Sequence, residues 1–364
     1  MNDLKIMLLK LFFSEKHKAP IIKPKKILLI KTGAIGDVIM TTPLLREIRK
    51  LFPKAKKDYL VGNWSKEVLY NNPNIGNIIG FDEKIMLKKR LIGVLKLARQ
   101  LRKEKYDLCF VLDRSYLLNI FAKLLKIQCT IGFDRDGEGF ALTNPVKMKW
   151  GNHHIKEYLR LLEPYNHHAK NYRTEVFPSE EDIKIAGKFL KKTISNKINK
   201  TLIGIAPLSA TNPGENAMNR RWPETRYFEL MKKLLERRAT ILLFGGPSEK
   251  NELEQIRIKL SNENVHNCAG LNINQSILLM KKTELFITHD SGPMHMASCS
   301  GTKVLSLFGP TNPNEKAPLD NKSLFIWKQP ELLKKGIKAD YLTKGGMEKI
   351  SVQETYKKAA KMLR

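Results

Sequence analysis

The chain has 364 residues, of which 42% are hydrophobic and 28% charged, with a formal net charge of +29. That length and apolar content exclude a disordered polypeptide and call for two domains of roughly 150–200 residues each. The charge selects acidic partners, and without a zinc-finger, RNP-type or basic-heptad pattern those partners are not nucleic acid but acidic substrates or an anionic membrane surface.

Residues 1–26 carry seven lysines against Asp3 and Glu15. Their apolar stretch, Leu4 to Phe13, is short and broken by lysine, and it lacks the small-residue cleavage site of a signal peptide. It reads as a basic amphipathic leader, either lying on anionic lipid or frayed. No segment of the chain reaches the ~18–20 apolar residues of a membrane span.

A first strand–helix series opens with the continuous apolar run Ile27 to Ile30, as expected of a strand buried on both faces. Lys31-Thr32-Gly33-Ala34-Ile35-Gly36-Asp37 then lies at the carboxyl end of that strand, where open α/β sheets place ligands. Gly33 and Gly36 permit a tight turn and close backbone approach, yet they form neither a dinucleotide nor a P-loop fingerprint. Asp37 begins a helix running to about Leu51, and is either an N-terminal cap or a general base. Further strands are expected at Asp58–Val61, Ile78–Phe81, Leu108–Leu112 and Thr130–Phe133. A basic helix near 84–105 has an apolar stripe of Leu87, Leu91, Leu95 and Leu101. Asp134-Arg135-Asp136 matches a metal-binding D-x-D, but the flanking Gly132 and Gly137 explain it better as a loop. The pairs His153-His154 and His167-His168 lack metal-ligand spacing and are expected on a surface helix and in a linker. Four scattered cysteines (Cys109, Cys129, Cys268, Cys299) read as free thiols, not a disulfide framework or zinc site.

Around 163–178 the polar composition suggests a linker. A second series follows, with strands at Leu202–Ala206, Thr240–Phe244, Leu285–Thr288 and Val304–Phe308. After a long polar loop from Ser209 to Asn219, Arg220 precedes a helix started by Pro223 and suits a diphosphate. Glu249, in Gly245-Gly246-Pro247-Ser248-Glu249, suits ribose hydroxyls. The junction after the third of these strands places Asp290, Ser291, Gly292 and His295 at the mouth of a helix, where unpaired amides attract an anion. Two alternating blocks imply two doubly wound Rossmann-like α/β domains facing across a cleft. The expected divisions are a leader at 1–26, a first domain at 27–178 and a second at 179–345. A terminal helix at 346–364 is expected to pack back toward the N-terminal domain.

The runs Ile27 to Val38 with Thr42-Pro43-Leu44, and Asp290 to Ala297 with Leu307-Phe308-Gly309-Pro310-Thr311, together resemble glycosyltransferase family 9, the bacterial lipopolysaccharide heptosyltransferases. Arg220-Arg221-Trp222-Pro223 and the 245–249 run support the resemblance. It implies the GT-B architecture, with 27–178 as the acceptor-binding domain and 179–345 as the nucleotide-sugar-binding domain, and an inverting, metal-independent transfer of heptose from ADP-heptose to the lipopolysaccharide inner core, with no cofactor. It further implies that Asp37 is the base facing the acceptor. Asp290, Ser291, Gly292 and His295 would contact the donor's diphosphate and sugar, Glu249 the adenosine ribose, and Arg220 the charge on departing ADP, with Ser209 adding a hydroxyl. An anionic lipid-linked glycan acceptor would place the enzyme in the cytoplasm, at the inner face of the inner membrane. The chain departs from the family pattern in carrying Arg220 where lysine is usual and Ser291 where threonine is common. Its Ser209–Asn219 loop is longer, and cysteines are absent from Lys328 to Met347. A transferase using another nucleotide sugar and a glycan or protein acceptor is the alternative. A non-catalytic membrane-bound scaffold would have no need of Asp37, Glu249 and Asp290.

Overall fold

The computed structural model describes residues 3–83, 85, 91–193, 201–209, 211–212, 215–329 and 345–364. They divide into two units, Met1–Tyr172 and Arg173–Arg364.

The first unit begins with helix α1 (Asp3–Phe13). Strand β1 (Lys26–Lys31) leads into α2 (Ile35–Leu51), followed by β2 (Lys56–Gly62) and β3 (Asn77–Phe81). Next come α3 (Leu91–Arg102), β4 (Leu108–Val111), α4 (Tyr116–Leu124), β5 (Cys129–Asp134), β6 (Asn144–Lys147) and α5 (His154–Arg160). The six strands pair in parallel in the order β3-β2-β1-β4-β5-β6. Leu29 lies in register with Tyr59 on one side and Phe110 on the other. Central strands are sealed on both faces, which is why Ile27 to Ile30 form an unbroken apolar run with at most 1% exposure. Pro43 inside α2 cannot donate to the Ile39 carbonyl, and the Thr42 hydroxyl takes that acceptor instead at 2.8 Å.

The second unit repeats the plan. It contains α6 (Glu180–Thr193), β7 (Leu202–Ala206), the small hairpin β8 (Thr211–Asn212) and β9 (Glu215–Asn216), α7 (Glu224–Glu236) and β10 (Thr240–Leu243). It continues through α8 (Lys250–Leu260), β11 (Val265–Asn267), α9 (Ile273–Met280), β12 (Leu285–His289) and α10 (Gly292–Ser300). Strand β13 (Val304–Phe308), α11 (Pro313–Lys316), β14 (Leu324–Trp327) and α12 (Val352–Met362) complete it. Its parallel sheet has the order β11-β10-β7-β12-β13-β14. Both sheets therefore reverse direction beside their first strand, at β1/β4 and β7/β12, and each reversal opens a ligand position at the strand carboxyl ends. These are two Rossmann-like domains. No helix among the described residues is long and apolar enough to cross a membrane.

Four expectations need correction. The terminal helix α12, expected against the N-terminal domain, is built into the second unit: Ala359 and Met362 lie in its core with Leu230 and Leu234 of α7. Lys303 Nζ donates to the Met362 carbonyl at 2.9 Å, and Trp222 Nε1 to the Ile350 carbonyl at 3.0 Å. The apolar stripe of the basic helix is displaced, because Leu97, Ala98 and Leu101 are buried whereas Leu91 and Leu95 are exposed; Leu87 lies outside the described residues. His153 and His154 are buried, not on a surface helix, and the His153 ring accepts the Ile155 amide at 3.2 Å. The stretch read as a linker from 163 starts as part of the first unit: Tyr165 packs edge-on against Phe52 at 5.1 Å, and His167 Nε2 is 3.0 Å from Glu47.

Candidate functional site

At the carboxyl end of β12 the strand runs two residues beyond its apolar part, so Thr288 and His289 are fully buried. Asp290 follows, and Ser291 caps α10 with extended backbone and no side-chain cap hydrogen bond. The Ser291 hydroxyl instead donates to the His289 carbonyl at 3.1 Å. The leading amides of α10, from Gly292, thus lack a side-chain cap and suit an anion.

Asp290 is 5% exposed, with Oδ2 buried, without a hydrogen-bond partner among the described residues, and 3.9 Å from Arg220 Nη1. Burial opposes its charge, yet Lys316, Arg220 and His295 around it hold the carboxyl below its ordinary value. A carboxylate among cations is a poor direct neighbour for phosphate. It suits sugar hydroxyls as donors, while the cations around it suit the phosphates.

Ser209 and Glu249 meet on the adjoining strand ends. The Ser209 hydroxyl donates to Glu249 Oε2 at 3.3 Å, and the same oxygen accepts the Gly246 amide at 2.7 Å. Glu249 therefore closes its own turn, a short 3₁₀ segment from Pro247 that precedes α8. The loop after β7 is fixed to β12 by His289, which composition alone does not single out. Its Nε2 donates to the Ser209 carbonyl, so in the neutral ring Nδ1 must accept the Tyr227 hydroxyl, 3.1 Å away. Burial depresses the His289 pKa to about 4, so the ring is neutral at ordinary pH. Arg221 Nε braces the same loop through the Leu208 carbonyl at 2.6 Å.

In the first unit, Asp37 stands in the first turn of α2 with a 35% exposed side chain, and Lys31 Nζ lies 3.6 Å away. Lys31 also binds Asp113 Oδ1 at 2.6 Å, and Asp113 Oδ2 accepts the Thr32 amide at 2.6 Å. Desolvation works against the Lys31 charge, but Asp113, Tyr158 and Asp37 outweigh it and raise its pKa well above the usual value. Gly33 is required for this approach: a Cβ there would lie 2.7 Å from Lys31 Nζ and 2.8 Å from Asp37 Oδ2. Gly36 is buried in the same turn of helix.

The structure thus gathers Arg220, Asp290 and His295, and separately Ser209 with Glu249, at the carboxyl ends of the second sheet. Asp37, Gly33 and Gly36 occupy the corresponding end of the first. Asp113, Lys316 and His289 were missed. For Asp113 the available signal was its position just past the apolar run of β4. Lys316 follows the turn at 309–313, and His289 stood unremarked inside the motif itself. The two carboxylates of Asp134-Arg135-Asp136 have local partners: Asp134 Oδ1 accepts the Gly137 and Gly139 amides at 2.8 and 2.9 Å, and Trp150 Nε1 is 3.4 Å from Asp136 Oδ1.

Known proteins resemble this chain in sequence and fold. The chain is 27% identical over 317 residues to lipooligosaccharide heptosyltransferase 2 of Haemophilus influenzae, covering 82% of this chain and 88% of that one. It is 24% identical over 318 residues to lipopolysaccharide heptosyltransferase 2 of Escherichia coli, covering 83% and 87%. Among solved structures, a glycosyl transferase family 9 protein from Veillonella parvula superposes with a TM-score of 0.78 at 23% identity, covering 95% of this chain and 99% of that chain. The E. coli ADP-heptose LPS heptosyltransferase II gives 0.72 at 21% identity, covering 93% and 98%. Residues 94–343 match the family model of glycosyltransferase family 9 (heptosyltransferase). The chain belongs to that family and is a glycosyltransferase.

Proposed function

We propose that the protein transfers heptose from ADP-heptose to the inner core of lipopolysaccharide, inverting the anomeric configuration and using no metal. The observation that carries this reading is the buried Asp290 carboxylate beside Arg220 at the uncapped start of α10. Cations and helix amides serve the diphosphate, and the carboxylate serves the attached sugar. The second unit binds the donor in this reading, with Glu249 and Ser209 toward the adenosine ribose. Arg220, Lys316 and the α10 amides offset the charge that grows as ADP leaves, which is the task a metal performs in other transferases.

Asp37 removes the proton from the acceptor hydroxyl, whose oxygen attacks the anomeric carbon opposite the leaving diphosphate. One displacement gives inversion without a covalent intermediate. The acceptor is a lipid-linked, anionic glycan at the cytoplasmic face of a membrane, which matches the +29 charge. The names of the relatives support heptose and lipopolysaccharide as donor sugar and acceptor class.

The deciding experiment offers the purified protein a panel of nucleotide sugars with heptose-free core acceptor, read by mass spectrometry. ADP-heptose alone should add one heptose unit, in the anomeric configuration opposite to the donor's, with chelator present. Transfer from a different nucleotide sugar, or retention of configuration, would sink the proposal.

A further inference from the structure

We infer that the apolar rim formed by α1 and the first turns of α3 and α4 docks on an anionic lipid surface, at the end of the first sheet that carries Asp37. This deepens the proposed reading of a lipid-linked acceptor and rests on it.

Helix α1 has two apolar faces. Ile6, Leu9 and Phe13 are partly covered, whereas Met7, Leu8, Leu11 and Phe12 form an outward arc in which Leu11 is 75% and Phe12 77% exposed. A large apolar arc left in water marks an interaction surface. The helix is held in place by its tail: Glu15 N donates to the Phe140 carbonyl at 2.8 Å, Lys18 N to the Thr143 carbonyl at 3.3 Å, and Lys123 Nζ to the Ser14 carbonyl at 2.7 Å. Thr143 adjoins the amino end of β6, while Lys10 reaches Gly137 just past the carboxyl end of β5. The chain thus descends the sheet edge from α1, which sits toward the carboxyl ends of the strands.

The same end of the same face carries more apolar surface. Leu97 and Leu101 of α3 share one core with Leu118 and Phe121 of α4, so both helices cover one side of the sheet. Each runs from strand carboxyl ends to amino ends, because each connects parallel strands. Their first turns lie therefore at the Asp37 end. There Leu91 is 74%, Ile92 85% and Leu117 44% exposed. Leu91 and Ile92 thus add an adjacent apolar pair to the surface left in water.

Charge identifies the occupant. Lys10 of α1 and Lys16 just beyond it are exposed, as is Lys96 on α3. A second copy of a chain carrying +29 would be repelled from this rim. An anionic bilayer accepts both components: apolar side chains enter the boundary of the acyl region and lysines meet the headgroups.

The test uses the full chain and vesicles of phosphatidylcholine with or without phosphatidylglycerol. Wild type should sediment with the anionic vesicles and stay in solution with neutral ones. The double variants Leu11→Ser/Phe12→Ser and Leu91→Ser/Ile92→Ser change only exposed side chains, so melting temperature and ADP affinity should hold. Each should weaken vesicle binding about tenfold or more. Transfer to acceptor embedded in vesicles should fall in parallel, while transfer to a delipidated, water-soluble core acceptor stays at the wild-type rate. Unchanged vesicle affinity in both variants would overturn the inference, as would self-association that the variants abolish. A wild type that binds vesicles but glycosylates neither acceptor would refute the transfer reading instead and leave the docking surface standing.

Discussion

A single methyl group separates structure from chemistry at Gly33. A Cβ there would press on the flexible tips of Lys31 and Asp37, which can move, so Gly33→Ala should fold with little change in melting temperature. The displaced carboxylate should nevertheless lower turnover by about tenfold or more, since small misplacements of a base are costly. Asp37→Ala should go further, lowering turnover by about 10²–10⁴-fold with ADP affinity intact. Near-normal turnover in that variant would end the base assignment. His289 makes a different prediction. Its pKa is about 4 in the fold against 6.5 ordinarily, so below the unfolded value the unfolded chain takes up a proton that the native ring refuses. The stability it confers is present above pH 6.5 and is lost as pH falls toward 4, a change of roughly 3 kcal/mol. His289→Gln keeps a donor for the Ser209 carbonyl but cannot titrate in this range. The melting-temperature advantage of wild type over this variant should therefore shrink as pH falls from 7 to 4. A constant gap would show that His289 is not the acid-labile group.

At the scale of elements, what was legible in the sequence follows from burial. Central strands needed no inference beyond their apolar runs, and β7 and β13 begin and end where the pattern does. Strands β6, β11 and β14 escaped notice because they are edge or near-edge strands of three or four residues, with polar or half-exposed side chains and no periodic signal. The helix mouth after β12 was readable for the opposite reason, since glycine, proline and short polar residues cluster where a strand turns into a helix. Chain order could not reveal that His289 belongs to the strand and bonds across to the loop after β7. Two predictions arise here. Gly204 sits in β7, where a Cβ would come 2.4 Å from the Phe286 ring and 3.2 Å from Phe244, both inflexible core aromatics. Gly204→Ala should cost about 1–3 kcal/mol and lower the melting temperature by several degrees, in contrast to Gly33→Ala. Asp290→Asn removes a buried charge-assisted acceptor at the α10 mouth, worth about 1.5–3 kcal/mol to a bound hydroxyl. The KM for the donor should rise roughly ten- to a hundredfold by that arithmetic, with the KM for the acceptor little changed. Equal effects on both substrates would detach Asp290 from the donor.

For the whole molecule, the repetition of one strand order in two units means that each half carries the full requirements of a fold. The second is the better case for autonomy. Its core runs from Ile203 to Met362, and α12, which the sequence led us to expect on the first unit, is one of the layers closing it. That expectation failed because an amphipathic helix at a chain end shows which of its faces is buried but not the surface it is buried against. Trp222, wholly buried and bonded to the Ile350 carbonyl, ties the Arg220 segment to the turn that leads into α12. Every residue assigned to the donor, from Ser209 to Lys316, lies within this unit, whereas Asp37 does not. Residues 173–364 expressed alone should therefore melt in one cooperative transition and bind ADP within about threefold of the full chain's affinity, a difference below 1 kcal/mol. They should show no transfer. Calorimetric melting and titration with ADP would check both points. A folded fragment that no longer binds ADP would show that the first unit supplies donor contacts, and would return the nucleotide assignment to the residues around Lys31 and Asp37.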